Sequence, residues 1–300
     1  MHQMIDIQWP CIKEWLQALS IGHDKQLIDI NGVVPKKQAA PMNVELYRTL
    51  IDMEWPTEFT LEMKMMYLSL FLMLWEGLLR PAALIQTEPD QQFSSKWFMA
   101  LSAINFVVPP ERSKSPATEE VVLAALQTPD SVVMADKPPI KNNSFGQLDT
   151  KPMMTSVARE GSNDISPGFF ISQHVLNRLI ALRPMDTALK MQQPLYVNQS
   201  GEWLQEKEAK KVFKRVVKQA LTLRDGKPPS AASMKKFTLY SNKAGKKVHL
   251  DYSKNISETE TRFIGGWAPI GGDADYSRPL PSHMCKAHKQ TNNMILNTLH

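Results

Sequence analysis

The sequence predicts a mainly α-helical protein with a small antiparallel β-sheet, an α+β fold. Apolar residues recur at helical spacing before residue 80 and again from residue 169 onward, whereas strand-forming residues concentrate between 96 and 143. This order groups the strands between two sets of helices. It differs from the strand–helix alternation of a doubly wound parallel sheet, so we expect the strands to pair antiparallel.

The first part of the chain is predicted to contain a short N-terminal segment and two helices. Residues 1–36 are interpreted as one or two short helices followed by a linker. Residues 42–53 have apolar positions at helical spacing, with Asn43 as the expected N-cap. Residues 57–79 predict a second helix. Its apolar run is shorter than the ~20 residues that cross a bilayer, so we expect it to be buried in the core.

The rest of the chain is predicted from strand signals and from the return of helical spacing. Strands are expected within 96–109 and 131–143, with an exposed loop over 109–120 between them. Residues 169–184 predict a helix that Pro184 ends. The elements that follow are a short strand with a turn, a long basic helix and a last helix, at 194–205, 206–221 and 283–299.

Composition favours a globular protein of a reducing compartment. The chain has 300 residues, and a hydrophobic share of 43% allows a sizeable core. Cys11 and Cys285 lie far apart and outside any CxxC motif, which argues against a disulfide framework or a structural zinc site. The N-terminus lacks the basic and apolar regions of a secretory signal, and the histidines show no metal-ligand spacing.

Positive charge is concentrated in one part of the chain. The net charge is +5, but residues 207–247 contain 13 basic and two acidic residues, a local charge of 13 − 2 = +11. The remainder is therefore net negative. Such segregation predicts a surface for a polyanion such as nucleic acid. The alternative is a solvated amphipathic helix, since "EKEAKKVFKRVVKQAL" has that pattern too.

Several motifs occur in a characteristic order. "GLLRPAALI" contains Arg80 after an apolar helix, a lysine-bearing turn lies between predicted strands, the basic helix follows, and "GGWAPIGGDADYSR" places Trp267 nine residues before Tyr276. Over about residues 37–300 this order resembles the catalytic domain of the tyrosine recombinases, the family of phage integrases and of the recombinases of eukaryotic mobile elements. The tryptophan of the last motif resembles the crypton-type enzymes.

The resemblance implies metal-free and cofactor-free DNA cleavage and rejoining through a 3′-phosphotyrosine intermediate. Tyr276 would attack the phosphate, and Arg80 would hold its non-bridging oxygens. Trp267 would donate a further hydrogen bond, because an indole N–H can only donate. A lysine of the β-hairpin would protonate the leaving 5′ oxygen.

Three lysines are candidates for that hairpin position. Lys141, in "PPIKNNSFGQ", fits by its place between a strand and a turn. Lys114 in "RSKSP" is the competing candidate, and Lys137 is the third.

The second arginine box departs from the family pattern, which is His-x-x-Arg. The segment "TLYSNKAGKKV" puts Tyr240 at the histidine position and Lys243 at the arginine position, 24 residues before Trp267 as in the family. A shifted register would use Lys235 but fits the spacing less well. An ammonium cannot form the bidentate clamp of an arginine, and losing a clamp costs on the order of 10²–10³ in rate.

The remaining expectations concern partners and organisation. Residues 37–300 would form the catalytic domain, and residues 1–36 would be the remnant of a DNA-clamping domain, as in a fragment of a longer protein or a chain that clamps DNA differently. A homo-oligomer would assemble on double-stranded DNA through helix 283–299. We expect a nuclear location if the source is eukaryotic and a cytoplasmic one otherwise. The residues expected to contact the DNA backbone are Lys207, Lys210, Lys211, Lys214, Arg215, Lys218, Lys235, Lys236, Lys246 and Lys247.

Two other functions remain open from the sequence. One is a DNA-binding protein that descends from a recombinase and has lost catalysis, which the replacements at Tyr240 and Lys243 favour. The other is a helical interaction protein whose basic helix is merely solvated.

Overall fold

The structure is a computed structural model, and it describes residues 39–111, 113–138, 152–158 and 165–251. About half of these residues lie in helices, and four short strands form one antiparallel sheet. The predicted α+β class is confirmed. The expected N-terminal segment and the expected last helix lie outside the described residues.

The first two helices were predicted from apolar spacing and are present. Helix α1, Val44–Asp52, is capped by Asn43, whose side-chain oxygen accepts a hydrogen bond from the backbone N–H of Leu46 at 2.8 Å. Helix α2, Leu61–Glu76, begins after Thr60, which caps it in the same way. It ends at Glu76 rather than continuing to residue 79.

The early end of α2 has a backbone cause. Gly77 caps the helix, and Leu78 then adopts a left-handed conformation with φ 50. A left-handed residue cannot continue a right-handed helix. The chain therefore leaves α2 one turn before Arg80, so this arginine does not directly follow the helix as expected.

The sheet contains four strands in the order β2-β1-β3-β4, with every neighbouring pair antiparallel. The strands are Ile104–Val107 (β1), Ser115–Pro116 (β2), Val132–Ala135 (β3) and Met153–Ser156 (β4). Ile104 pairs with Ala135, and Ala135 pairs with Met153, so β1 and β4 flank β3. The strand regions predicted around 96–109 and 131–143 each contribute one central strand.

One segment expected to be an exposed loop is partly ordered. Residues 109–120 include the edge strand β2 and the start of helix α3, Glu119–Gln127. Thr118 caps α3, since its side-chain oxygen accepts a hydrogen bond from the Val121 backbone N–H at 3.2 Å. The loop prediction was therefore wrong over its second half. Prolines and serines are typical of loops, but Thr118 followed by two glutamates starts a helix.

Five helices follow the sheet within the described chain. Helix α4 ends before Pro184, as predicted, and the basic helix α6 is present. The predicted strand before α6 is reduced to isolated bridges, which pair Pro194 with Ala100, Val197 with Trp203, and Gln205 with Gln86. Helices α5, α7 and α8 were not predicted. The bounds are Pro167–Ala181 (α4), Thr187–Met191 (α5), Glu206–Asp225 (α6), Ala231–Lys236 (α7) and Tyr240–Asp251 (α8).

Helix α2 forms the centre of the core. Every residue from Met66 to Glu76 is buried, and helices α4 and α8 pack against it. Phe71 of α2 meets Phe213 of α6 edge to face, with ring centroids 5.0 Å apart. Its continuous apolar sequence thus reflects contact on all sides, as predicted. No helix of the described residues combines the length and apolar character needed to cross a bilayer.

Candidate nucleic-acid interface

Arg80 is exposed on a well-anchored stretch of backbone. It is extended, with φ −85 and ψ 146, and directly precedes the 3₁₀ turn Pro81–Ala83. Its carbonyl accepts a hydrogen bond from the Ala83 N–H at 2.9 Å, while Leu84 and Ile85 just beyond are completely buried. The guanidinium is therefore presented to solvent from a fixed base.

Lys243 lies on the first turn of α8, and the residues just before it are tied to α1. The N–H of Met42 donates to the carbonyl of Ser241 at 3.0 Å. The hydroxyl of Tyr47 donates to Oδ1 of Asn242 at 2.5 Å, inside the core. These contacts fix the turn of helix from which the partly buried Lys243 side chain extends.

The positive charge of Arg80 acts on Lys243 in the structure. Burial, and then the positive charge of Arg80, lower the pKa of Lys243 below its usual value. Within the described residues, neither side chain forms an ion pair with a carboxylate. Two neighbouring cations of like charge repel each other, so an anion placed between them would relieve that repulsion.

Tyr240 is the first residue of α8 and is 46% exposed. Tyr240 and Lys243 are three residues apart, so they lie on neighbouring positions of the helix surface. Both residues of the candidate second box therefore lie at the N-terminal end of α8.

A buried ion pair holds α8 against the end of α2. Lys246 Nζ lies 3.0 Å from Glu76 Oε2, and both side chains have 0% exposure. Lys246 Nζ also lies 5.9 Å from the centre of the Trp75 ring. The expectation that Lys246 contacts DNA was wrong, because its ammonium is enclosed in the core by these groups.

Gly245 permits the close approach of α8 to the start of α1. A Cβ atom at this position would lie 1.9 Å from the carbonyl oxygen of Met42 and 2.4 Å from Trp75 Cζ3. The roles of Glu76 and Gly245 and the bond between Tyr47 and Asn242 were not predicted from the sequence. A glycine inside a helix was the one signal that could have indicated close packing.

The hairpin lysines differ in their surroundings. Lys114 lies 3.1 Å from Asp136 in an ion pair whose side chains are 50% and 41% exposed. Lys137 is buried at 4% exposure and is engaged with another group. Lys141 lies outside the described residues, in the segment between β3 and β4. Lys137 is therefore enclosed, whereas the exposed ion pair of Lys114 leaves that lysine accessible.

Helix α6 separates a buried apolar face from an exposed basic face. Val212, Phe213, Val216 and Val217 are buried against the core. On the opposite side, Lys207, Lys211, Lys214 and Lys218 are exposed at spacings of four, three and four residues, which align them along one stripe of the helix. We call these four lysines the basic stripe.

The other lysines and arginines expected to contact DNA are mostly at the surface. Lys210 pairs with Glu206 at 2.9 Å, and Arg215 pairs with Glu58. Exposed ion pairs of this kind contribute little to stability, and they leave the cations accessible. Lys235, Lys236 and Lys247 are exposed as well, on α7 and α8.

Trp267 and Tyr276 lie outside the described residues. The described part of the chain holds no group of three or more histidine, cysteine, aspartate or glutamate side chains that could bind a metal ion. No family model, no curated protein and no solved structure matches this chain.

Proposed function

We propose that this protein cuts and rejoins DNA strands by the chemistry of the tyrosine recombinases, through a 3′-phosphotyrosine intermediate. The observation that supports the proposal most is that the charge of Arg80 acts on Lys243. These residues belong to different motifs of the sequence and come from distant parts of the chain. A pair of cations without carboxylate partners among the described residues suits a single phosphodiester, whose two non-bridging oxygens need two donors.

The remaining roles come from the sequence motifs. Tyr276 attacks the phosphorus atom, and Trp267 donates its indole N–H to a phosphate oxygen. Tyr240, beside Lys243 on α8, donates its hydroxyl hydrogen. Lys141 protonates the leaving 5′ oxygen, with Lys114 as the competing candidate.

The basic stripe and its exposed neighbours bind the DNA backbone. Each lysine that contacts a phosphate releases condensed counterions, so affinity falls with salt concentration. The slope of log K against log salt is negative. We expect replacement of the four stripe lysines by glutamine to make it less steep by roughly 3–4, at ~0.9 for each phosphate that the protein no longer neutralises. Lys96→Gln, at an exposed lysine on another part of the surface, should leave the slope unchanged.

A suicide DNA substrate tests the chemistry directly. Cleavage within a nicked duplex releases a short fragment, so a covalent protein–DNA adduct accumulates and is visible after denaturing electrophoresis. We expect an adduct that disappears in Tyr276→Phe and persists in Tyr252→Phe, a matched control outside the motif. Arg80→Ala should reduce adduct formation by ~10²–10³. An adduct that survives Tyr276→Phe would contradict the assignment of the nucleophile.

The second candidate is a recombinase-derived DNA-binding protein without catalysis. The lysine at position 243 favours it, because an ammonium offers no bidentate fork to the phosphate. DNA binding that depends on the basic stripe, without an adduct under any condition, would support this function over the first.

A further inference from the structure

Helix α8 packs against the rest of the protein through a face that is almost entirely polar. Its buried positions recur at helical spacing, so they form one continuous face towards α2 and the residues before α1. Among the residues of α8 whose burial the structure describes, Leu250 is the one large apolar side chain that is buried. The other buried residues of this face are Ser241, Asn242, Gly245, Lys246 and His249.

Helix α6 buries a face of the opposite kind. All of its buried residues are apolar, and Phe213 and Val216 are completely enclosed by the core. The cost of exposing such a face to water grows with the apolar area. We therefore expect α6 to separate from its neighbours only when the whole core unfolds.

The polar contacts of α8 specify where it docks but contribute little net stability. The Tyr47 hydroxyl donates to Asn242 Oδ1, and Lys246 pairs with Glu76 inside the protein. These contacts fix the geometry of the docked helix. When the helix opens, water replaces the partner in the hydrogen bond, and the lost attraction between the ions is largely offset by their hydration. An opened α8 thus exposes groups that water solvates well.

We propose that α8 is a detachable element, which separates from α2 as a unit while the apolar core of α4 and α6 stays folded. Partial openings of this kind occur where few buried apolar contacts hold an element in place. The opening itself does not depend on the proposed function, but its consequence does. Helix α8 carries Tyr240 and Lys243, so opening takes both residues out of the candidate DNA site. Bound DNA would in turn favour the docked helix.

Native-state hydrogen exchange of the full chain, measured by NMR at increasing urea concentrations, tests the opening. After correction for intrinsic exchange rates, the amides of α8 should exchange ~10-fold or more faster than those of α4 and α6. Their exchange should also depend less steeply on urea, because a partial opening exposes less surface than global unfolding does.

Val175→Ala distinguishes a partial opening from global unfolding. Val175 is completely buried on α4, and truncating it destabilises the core. Amides of α4 and α6 should therefore exchange ~10-fold faster in this variant, whereas those of α8 should keep their parental rate, since the core stays folded when α8 opens. Asn242→Ala is the matched substitution in the docking face. It should speed the exchange of the α8 amides ~5-fold or more.

Two results would overturn the inference. One is exchange of α8 at the same rate and with the same urea dependence as α4, which would mean that α8 opens only by global unfolding. The other is equal acceleration of α8 and α4 in Val175→Ala. Short duplex DNA tests the consequence separately, because it should slow the exchange of α8. No slowing would contradict the proposed DNA site and leave the opening itself intact.

Discussion

The buried ion pair between Glu76 and Lys246 gives the sharpest prediction about stability. At 3.0 Å and an effective dielectric constant of about 20, Coulomb's law gives about 5.5 kcal/mol of attraction. Desolvation of the two ions opposes it by several kcal/mol each. Lys246→Met removes the attraction but leaves the Glu76 carboxylate buried. We therefore expect this single substitution to lower the free energy of unfolding by about 3–5 kcal/mol.

The double variant Glu76→Gln, Lys246→Met should recover most of that stability. It removes both charges, so neither ion of the pair stays buried without the other. Urea denaturation followed by circular dichroism measures the free energy of unfolding of the parent, of Lys246→Met, of Glu76→Gln and of the double variant, and these four values give the coupling. Lys247→Met is the matched control, because Lys247 is the exposed neighbour in sequence and surface replacements usually change stability by less than ~0.5 kcal/mol.

Two outcomes would contradict this reasoning. A cost below ~1 kcal/mol for Lys246→Met would mean that water reaches the pair. A double variant as unstable as the sum of both singles would mean that the charges do not interact, since uncoupled substitutions add.

Three further predictions concern the same region and the core. Gly245→Ala should lower the melting temperature and cost at least ~1–3 kcal/mol, because its Cβ would lie 1.9 Å from a backbone oxygen that cannot rotate away. Tyr47→Phe should cost ~1–3 kcal/mol in urea denaturation, since Asn242 Oδ1 loses its buried donor. Burial lowers the pKa of His174 from 6.5 to about 3, so the unfolded chain binds the proton more readily and stability falls as pH drops from about 6.5 towards 3. Free energies of unfolding, measured by urea denaturation over that pH range, should fall by roughly 1.4 kcal/mol per pH unit because of this residue. A flat profile would contradict a neutral His174 in the folded protein.

Local signals were sufficient for part of the fold. Asn43 before an apolar helical pattern located α1, and Pro184 located the end of α4, because caps and prolines act within a few residues. Helix α8 was not predicted. Its sequence has lysines and a glycine where a helix facing the core normally has apolar residues, and only the partners supplied by α2 explain them.

The candidate site, like the fold, could be predicted only in part. The resemblance predicts that Arg80 and Lys243 bind one phosphate. In the structure the charge of Arg80 acts on Lys243, and joint binding of a phosphate stays a prediction. Counting charges could not distinguish Lys246 from Lys247, although one is enclosed and the other exposed. Which of two adjacent lysines pairs with Glu76 depends on the rotation of α8 against α2, and that rotation is set by tertiary packing.

The contacts around Lys243 fix the turn of helix that carries it. A lysine loses up to ~2 kcal/mol of side-chain entropy when it is held in place, and it lacks the planar fork that orients an arginine. Here the neighbouring helix positions are each fixed by a different contact: Asn242 by Tyr47, Gly245 by its fit against Met42, and Lys246 by Glu76. Partial burial restricts the side chain further. The Lys243 side chain therefore extends from a turn of helix whose backbone is fixed on several sides, and the charge of Arg80 acts on its ammonium.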